Sequence, residues 1–118
     1  MALTGLESRR SPRIVVSMSD QDDATTIALQ GDADVTVLPF LVDTFAGIVA
    51  DREGAVVVDL AETEYIDTAC VRAVGLVAQS LADAGRRMTF RSPSRFAVML
   101  LATFGLASMV ELDGEAGQ

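Results

Sequence analysis

Residues 56–81 read VVVDLAETEYIDTACVRAVGLVAQSL, and the periodicity changes within the stretch. Val56-Val57-Val58 is a short β-branched run of the kind that forms a strand buried on both faces. Polar and small residues follow, and then the apolar positions Val71, Val74, Ala78 and Leu81 fall at the spacing of one helix face. Asp67 stands where an N-cap belongs, because its carboxylate can accept from backbone N–H groups that have no partner within the helix. Thr68 then lies in the first helical turn, where those N–H groups and the helix dipole favour added negative charge. A hydroxyl at a helix start is a place where a phosphate is readily held.

Working outward, Gly85 ends this helix, and Gly75 inside it costs about 1 kcal/mol relative to alanine, which implies close packing against a neighbour. Met88 to Arg91 reads as a strand. Ser92-Pro93-Ser94 is a start signal with Ser94 as N-cap for a helix to Phe104 that stops at Gly105, and Ser108 to Leu112 reads as a last short strand. On the other side, Leu38, Leu41, Val42, Phe45, Ile48 and Val49 mark a helix with Pro39 in its first turn and Gly54 beyond its end. Arg13 to Met18 and Thr25 to Gln30 are β-rich runs around the polar cluster Ser19 to Asp23, a hairpin signal. The reading is a mobile tail over 1–12, a single domain over 13–112 and an acidic tail over 113–118. The order ββαβαβαβ predicts an α/β fold, a mixed sheet backed by helices, with an antiparallel hairpin leading into parallel strands.

Composition removes whole classes of chemistry. The chain has no histidine and no lysine, which excludes His-dependent triads, HExxH zinc sites, a Walker-A lysine and Schiff-base catalysis. No catalytic residue, cofactor or metal is expected. A net charge of −8, with Arg52 and Arg72 the only bases between residues 14 and 85, argues against direct contact with nucleic acid. The longest uncharged run, Phe96 to Val110, falls short of the ~20 residues that span a bilayer, so no membrane insertion is expected. A single cysteine rules out an internal disulfide, and the N-terminus lacks the apolar core of a signal peptide; both point to the cytoplasm. A receiver domain, suggested by Asp59 at a strand end, is excluded by the absence of lysine.

The element order, the Gly-x-x-Asp turn at Gly31 to Asp34, the strand Val56 to Leu60 and the sequence Tyr65-Ile66-Asp67-Thr68 before a helix resemble the STAS domains of bacteria, in particular the anti-sigma factor antagonists. The resemblance covers about Arg13 to Leu112. It implies a STAS-like fold and a cytoplasmic binding module that sequesters an anti-sigma factor with kinase activity and so frees a sigma factor for transcription. It also implies that this partner phosphorylates the first hydroxyl of an Asp-Ser-Ser-Gly or Asp-Ser-Thr-Gly signature. Asp67 matches the aspartate of that signature and Thr68 the phosphoacceptor, while Asp34 matches the acidic residue beside it. Ala69 and Cys70 depart from the pattern, replacing the second hydroxyl and the glycine. The alternative within the same family is an accessory subunit of a membrane lipid or anion transport system.

The residues themselves leave several readings side by side. Thr68 is a regulatory acceptor or an ordinary helix-start hydroxyl. Arg72, four residues on, lies on the same helical face and could hold a phosphate locally. Asp34, Asp67, Ala69, Cys70 and Arg72 form the expected partner-binding surface. Cys70 is either a redox-sensitive thiol, its pKa lowered by the helix start and Arg72, or a small buried hydrophobe. Arg86, Arg87, Arg91 and Arg95 are either a solvated edge or a docking patch. In the helix from Arg95, Phe96, Met99, Leu100 and Thr103 suit the sheet, which would leave Val98, Leu101 and Phe104 for a partner or a homodimer; the other reading buries the helix deeply.

Overall fold

The computed structural model describes residues 7–111. Its strands are β1 (Glu7–Arg10), β2 (Ile14–Gln21), β3 (Ala24–Ala33), β4 (Ala55–Asp59), β5 (Thr63–Ile66), β6 (Met88–Arg91) and β7 (Val110–Glu111). Its helices are α1 (Leu38–Asp51), α2 (Thr68–Asp83) and α3 (Arg95–Thr103). One mixed sheet runs in the order β1-β2-β3-β4-β6-β7, with β5 also paired to β3. β1, β2 and β3 are antiparallel neighbours, and every pairing from β3 onward is parallel. The expected hairpin is longer than its apolar runs suggested. Asp22 and Asp23 both adopt positive φ (50° and 65°), so a two-residue turn matching the strand twist lets polar Ser19 to Gln21 continue the ladder.

Two strands escaped the sequence reading. Glu7–Arg10, expected to be tail, pairs with β2 through backbone groups that its polar side chains do not advertise. β5 was expected to be loop and helix approach, because Thr63-Glu64-Tyr65 carries no apolar run. It forms because β3 is ten residues long: Ala24 to Ala28 pair with β4, and Gly31 to Ala33 pair with β5 across a register irregularity. The Thr63 hydroxyl fixes the step by donating to the Leu29 carbonyl at 2.7 Å, and Asp59 accepts from the Ala61 N–H at 2.9 Å. The last strand is shorter than expected, with a 3-10 turn over Ala107–Met109 before Val110; Leu112 lies outside the described residues.

Burial alternates along the strands. Ile14, Val16, Ile27, Leu29, Val56, Val58, Met88 and Phe90 are buried, while Val15, Ala28, Val57 and Thr89 between them are half-buried. The Val56-Val57-Val58 strand is therefore covered fully on one face, a correction to the two-sided burial expected of it. Leu41, Phe45 and Ile48 of α1, Val71, Val74 and Leu81 of α2, and Leu101 of α3 complete the core. Gly75 does meet a neighbour, since a Cβ there would sit 3.0 Å from Leu106 Cδ1.

The inward face of α3 is rotated from the one expected, although Leu100 packs against the core and Val98 is exposed as expected. Ala97 and Leu101 are buried, whereas Phe96 and Met99 are 49% and 64% exposed. Ser94 caps the start of the helix, accepting from the Ala97 N–H at 3.0 Å, and hydrophobicity, nearly uniform around the helix, does not mark in sequence which side turns inward.

Gly31 adopts φ +114°, and a Cβ on it would lie 2.4 Å from the Arg13 carbonyl oxygen. Gly31→Ala is expected to lower stability by at least about 2 kcal/mol, from the backbone conformation and the clash together. Urea unfolding followed by circular dichroism measures it, as a lower midpoint at unchanged slope.

Candidate regulatory site at the start of α2

Asp67 enters the site with its N–H bonded to the Ala33 carbonyl at 3.0 Å, and its carboxylate accepts from the Cys70 N–H at 3.0 Å. The first contact ties the end of β5 to the end of β3, and the second starts α2. Thr68, the next residue, is exposed. Arg72 and Leu76 are exposed at one-turn intervals beyond it, giving a stripe of hydroxyl, cation and apolar side chain on the outer face of α2. Arg72 pairs with no carboxylate among the described residues.

Asp34 joins this end of the molecule from β3. Its backbone carbonyl accepts the Cys70 thiol at 3.5 Å. Its carboxylate accepts from the Thr36 N–H at 3.0 Å and from the Thr36 hydroxyl, and pairs with Arg13 at 2.8 Å. These interactions hold the carboxyl below its usual range, the Thr36 hydroxyl first and Arg13 after it. Sequence reasoning missed Arg13 and Thr36. Thr36 could have been found as a hydroxyl two residues after an N-cap aspartate; Arg13 comes into place only through the pairing of Ile14 with Gly31.

Cys70 is fully buried, and Ala69 beside it is half-buried. Burial pushes the thiol up to about 12, with the Asp67 and Asp34 charges adding to the effect. The expected lowering by helix start and Arg72 is thus reversed: dipole effects on an inward-pointing thiol lose to desolvation and a neighbouring carboxylate. The structure supports the small-hydrophobe reading of Cys70 and removes the basis for a reactive thiolate.

The four arginines of the expected docking patch do not act together. Arg86 donates to the carbonyls of Gly54 at 2.8 Å and Val49 at 3.2 Å, clamping the end of α1. Arg91 pairs with Glu111 at 3.1 Å, and Arg87 and Arg95 are exposed. No group of three or more acidic, cysteine or histidine side chains able to hold a metal occurs among the described residues, and no helix among them is long and apolar enough to cross a membrane.

A mixed sheet with helices on one face, and a capped helix start meeting a Gly-x-x-Asp turn, define a STAS-type domain. The family model described as "Mlab, STAS domain" matches residues 16–111, and the chain belongs to that family. An anti-sigma factor antagonist from Mycobacterium paratuberculosis has a similar structure, with a TM-score of 0.75 at 19% identity over 90% of this chain and 94% of that one. The anti-sigma factor antagonist SpoIIAA in its unphosphorylated form is similar at 0.67 and 13% identity, over 90% and 85%. The Bacillus cell fate determinant SpoIIAA in its phosphorylated form gives 0.64 at 14%, over 90% and 88%. At such identities these structures establish a shared fold. No curated protein matches the chain in sequence.

Two measurements check the site. Asp67→Ala removes the cap and is expected to cost about 1 kcal/mol in urea unfolding. The raised Cys70 pKa favours the folded state fully below the unfolded thiol's value near 9 and loses that contribution as pH rises toward about 12. Cys70→Ser is therefore expected to flatten the decline of stability across that window, and the wild-type thiol is expected to react with a thiol reagent at pH 8 only after denaturation.

Proposed function

We propose that this protein is an anti-sigma factor antagonist, a non-enzymatic binding module whose hold on an anti-sigma factor is switched by phosphorylation of Thr68. The observation that carries the reading is the exposed Thr68 hydroxyl at the first position of α2, beside the half-buried Asp67 and close in the fold to Asp34. A phosphate there adds about −1.5 to −2 charge next to existing carboxylates. A partner surface suited to the unmodified stripe of Thr68, Arg72 and Leu76 then meets repulsion and a costly desolvation. Ala69, which cannot donate a second hydroxyl, and Cys70, whose side chain is turned inward, leave Thr68 as the reacting group. Sequestration of the anti-sigma factor by the unmodified form releases a sigma factor, in a cytoplasmic pathway with no cofactor and no direct contact with DNA.

A second reading, an accessory subunit of a membrane lipid or anion transport system, is favoured by one observation: the outer face of α3 exposes Phe96 and Met99. In that role α3 rather than Thr68 is the working surface, and self-association through the same face is its competitor.

Incubation with the cognate anti-sigma factor kinase and ATP, followed by peptide mass spectrometry, is expected to find phosphate on Thr68 and not on Ser80 or Ser94. Phosphate elsewhere with Thr68 unmodified overturns the first reading. In calorimetric titrations with the same kinase, Thr68→Glu is expected to weaken binding at least about tenfold, which is ~1.4 kcal/mol, while Thr68→Ala binds constitutively. Met99→Glu distinguishes the readings: unchanged anti-sigma factor binding together with loss of a transporter complex supports the second.

A further inference from the structure

At the far end of α2, roughly 20 Å along the helix from Thr68, lies a cavity of about 480 Å³. It opens between the last turns of α2, the start of β6 and the 3-10 turn before β7. Ala78, Ala82, Met88 and Met109 make its apolar wall, and Arg86, Arg87, Thr89 and Ser108 supply its polar groups. Among the described residues no carboxylate lines it, although acids outnumber bases 17 to 9 in the chain.

Arg86 is held in place before any ligand arrives. Its Nε and Nη1 are committed to the Gly54 and Val49 carbonyls, and its Nη2 is buried with no acceptor. A guanidinium so fixed contributes its positive charge behind the groove, with no donor open to a ligand. Arg86 and Arg87 pair with no carboxylate among the described residues, so their charge is not neutralised locally. The carbonyl end of α2 acts against an anion here, but its partial charge is smaller than that of two guanidinium groups. A second hollow of about 180 Å³, lined by Gly75, Gln79, Phe104 and Leu106, shares Ala82 and Met109 with the first and extends the groove toward α3. The glycine and alanines of α2 keep its floor low.

We propose that this groove binds a small organic phosphate, its phosphoryl oxygens on the exposed Arg87 guanidinium with the Ser108 and Thr89 hydroxyls beside them and the fixed charge of Arg86 behind, and its apolar body along Ala82 and Met109. The hollow has the volume of a small-ligand site, and it combines an apolar wall with a few polar groups. The site is distinct from the start of α2, so its occupancy does not depend on modification of Thr68.

Amide chemical shifts of the full chain titrated with phenyl phosphate, inorganic phosphate and phenol test the proposal. Saturable shifts in residues 78–89 and 106–109 are expected with phenyl phosphate, weaker ones with inorganic phosphate and none that saturate with phenol. Arg87→Glu, at an exposed position that leaves the fold intact, is expected to weaken phenyl phosphate at least about tenfold, and Ala82→Leu to exclude it by filling the groove. Arg86 is left unchanged because it also clamps α1. Shifts confined to the start of α2, phenol binding as tightly as phenyl phosphate, an affinity indifferent to Arg87→Glu, or no saturation at millimolar ligand would each overturn the proposal.

Discussion

The structure depends on β3 being paired twice along one edge. Its first half bonds to β4 and its last three residues to β5, so the chain that leaves β4 is drawn back to the same strand before α2 begins. The Asp67 N–H to Ala33 carbonyl bond finishes that pairing and fixes where the helix starts. Without it Asp34 and Thr68, separated by more than thirty residues of chain, have no reason to be neighbours. Gly31 makes the arrangement feasible, because its backbone conformation and missing side chain allow the Arg13 carbonyl to approach.

The site built on this constraint is an electrostatic one. The Asp34 carboxylate is occupied by Thr36 and Arg13, and that of Asp67 by the start of α2, so both are held in a fixed direction. Thr68 stands beside them with its hydroxyl free to solvent and Arg72 one turn away. On the proposed function, a phosphate on Thr68 would have large leverage in such a setting, because repulsion at short range is screened least where a docked partner has displaced water. Cys70 serves the same end structurally: its buried thiol reaches the Asp34 carbonyl and locks the turn to the helix.

Much was legible in the residues. The N-caps Asp67 and Ser94, the helix ends at Gly85 and Gly105 and the hairpin before the first helix follow from local rules, and local contacts decide them. Most inner residues of α1 and α2 follow from their spacing, since an amphipathic helix can bury only one side, but Val42, expected in the stripe of α1, is 42% exposed. The position of Thr68 at the start of α2 follows from the cap alone.

Tertiary structure decided the rest, each time because the deciding partner is distant in sequence. Thr63–Ile66 becomes a strand through backbone bonds to β3 that no side-chain pattern announces, and Glu7–Arg10 does so through β2. The rotation of α3 came from its packing, with Ala97 and Leu101 turned to the core beside Val71 and Val74 of α2, because a helix apolar on nearly every side carries no directional signal. Cys70 turned inward, where desolvation outweighs the helix dipole that its sequence position suggested. Arg86 left a run of four similar arginines to bind two carbonyls, Gly54 and Val49, because only the folded chain brings those orphaned acceptors within its reach. Sequence alone determined the three helices, the caps Asp67 and Ser94 and the chemistry excluded by the lack of histidine and lysine; the pairing of β3 determined which of those residues meet, since main-chain hydrogen bonds are indifferent to the side chains by which a sequence is read.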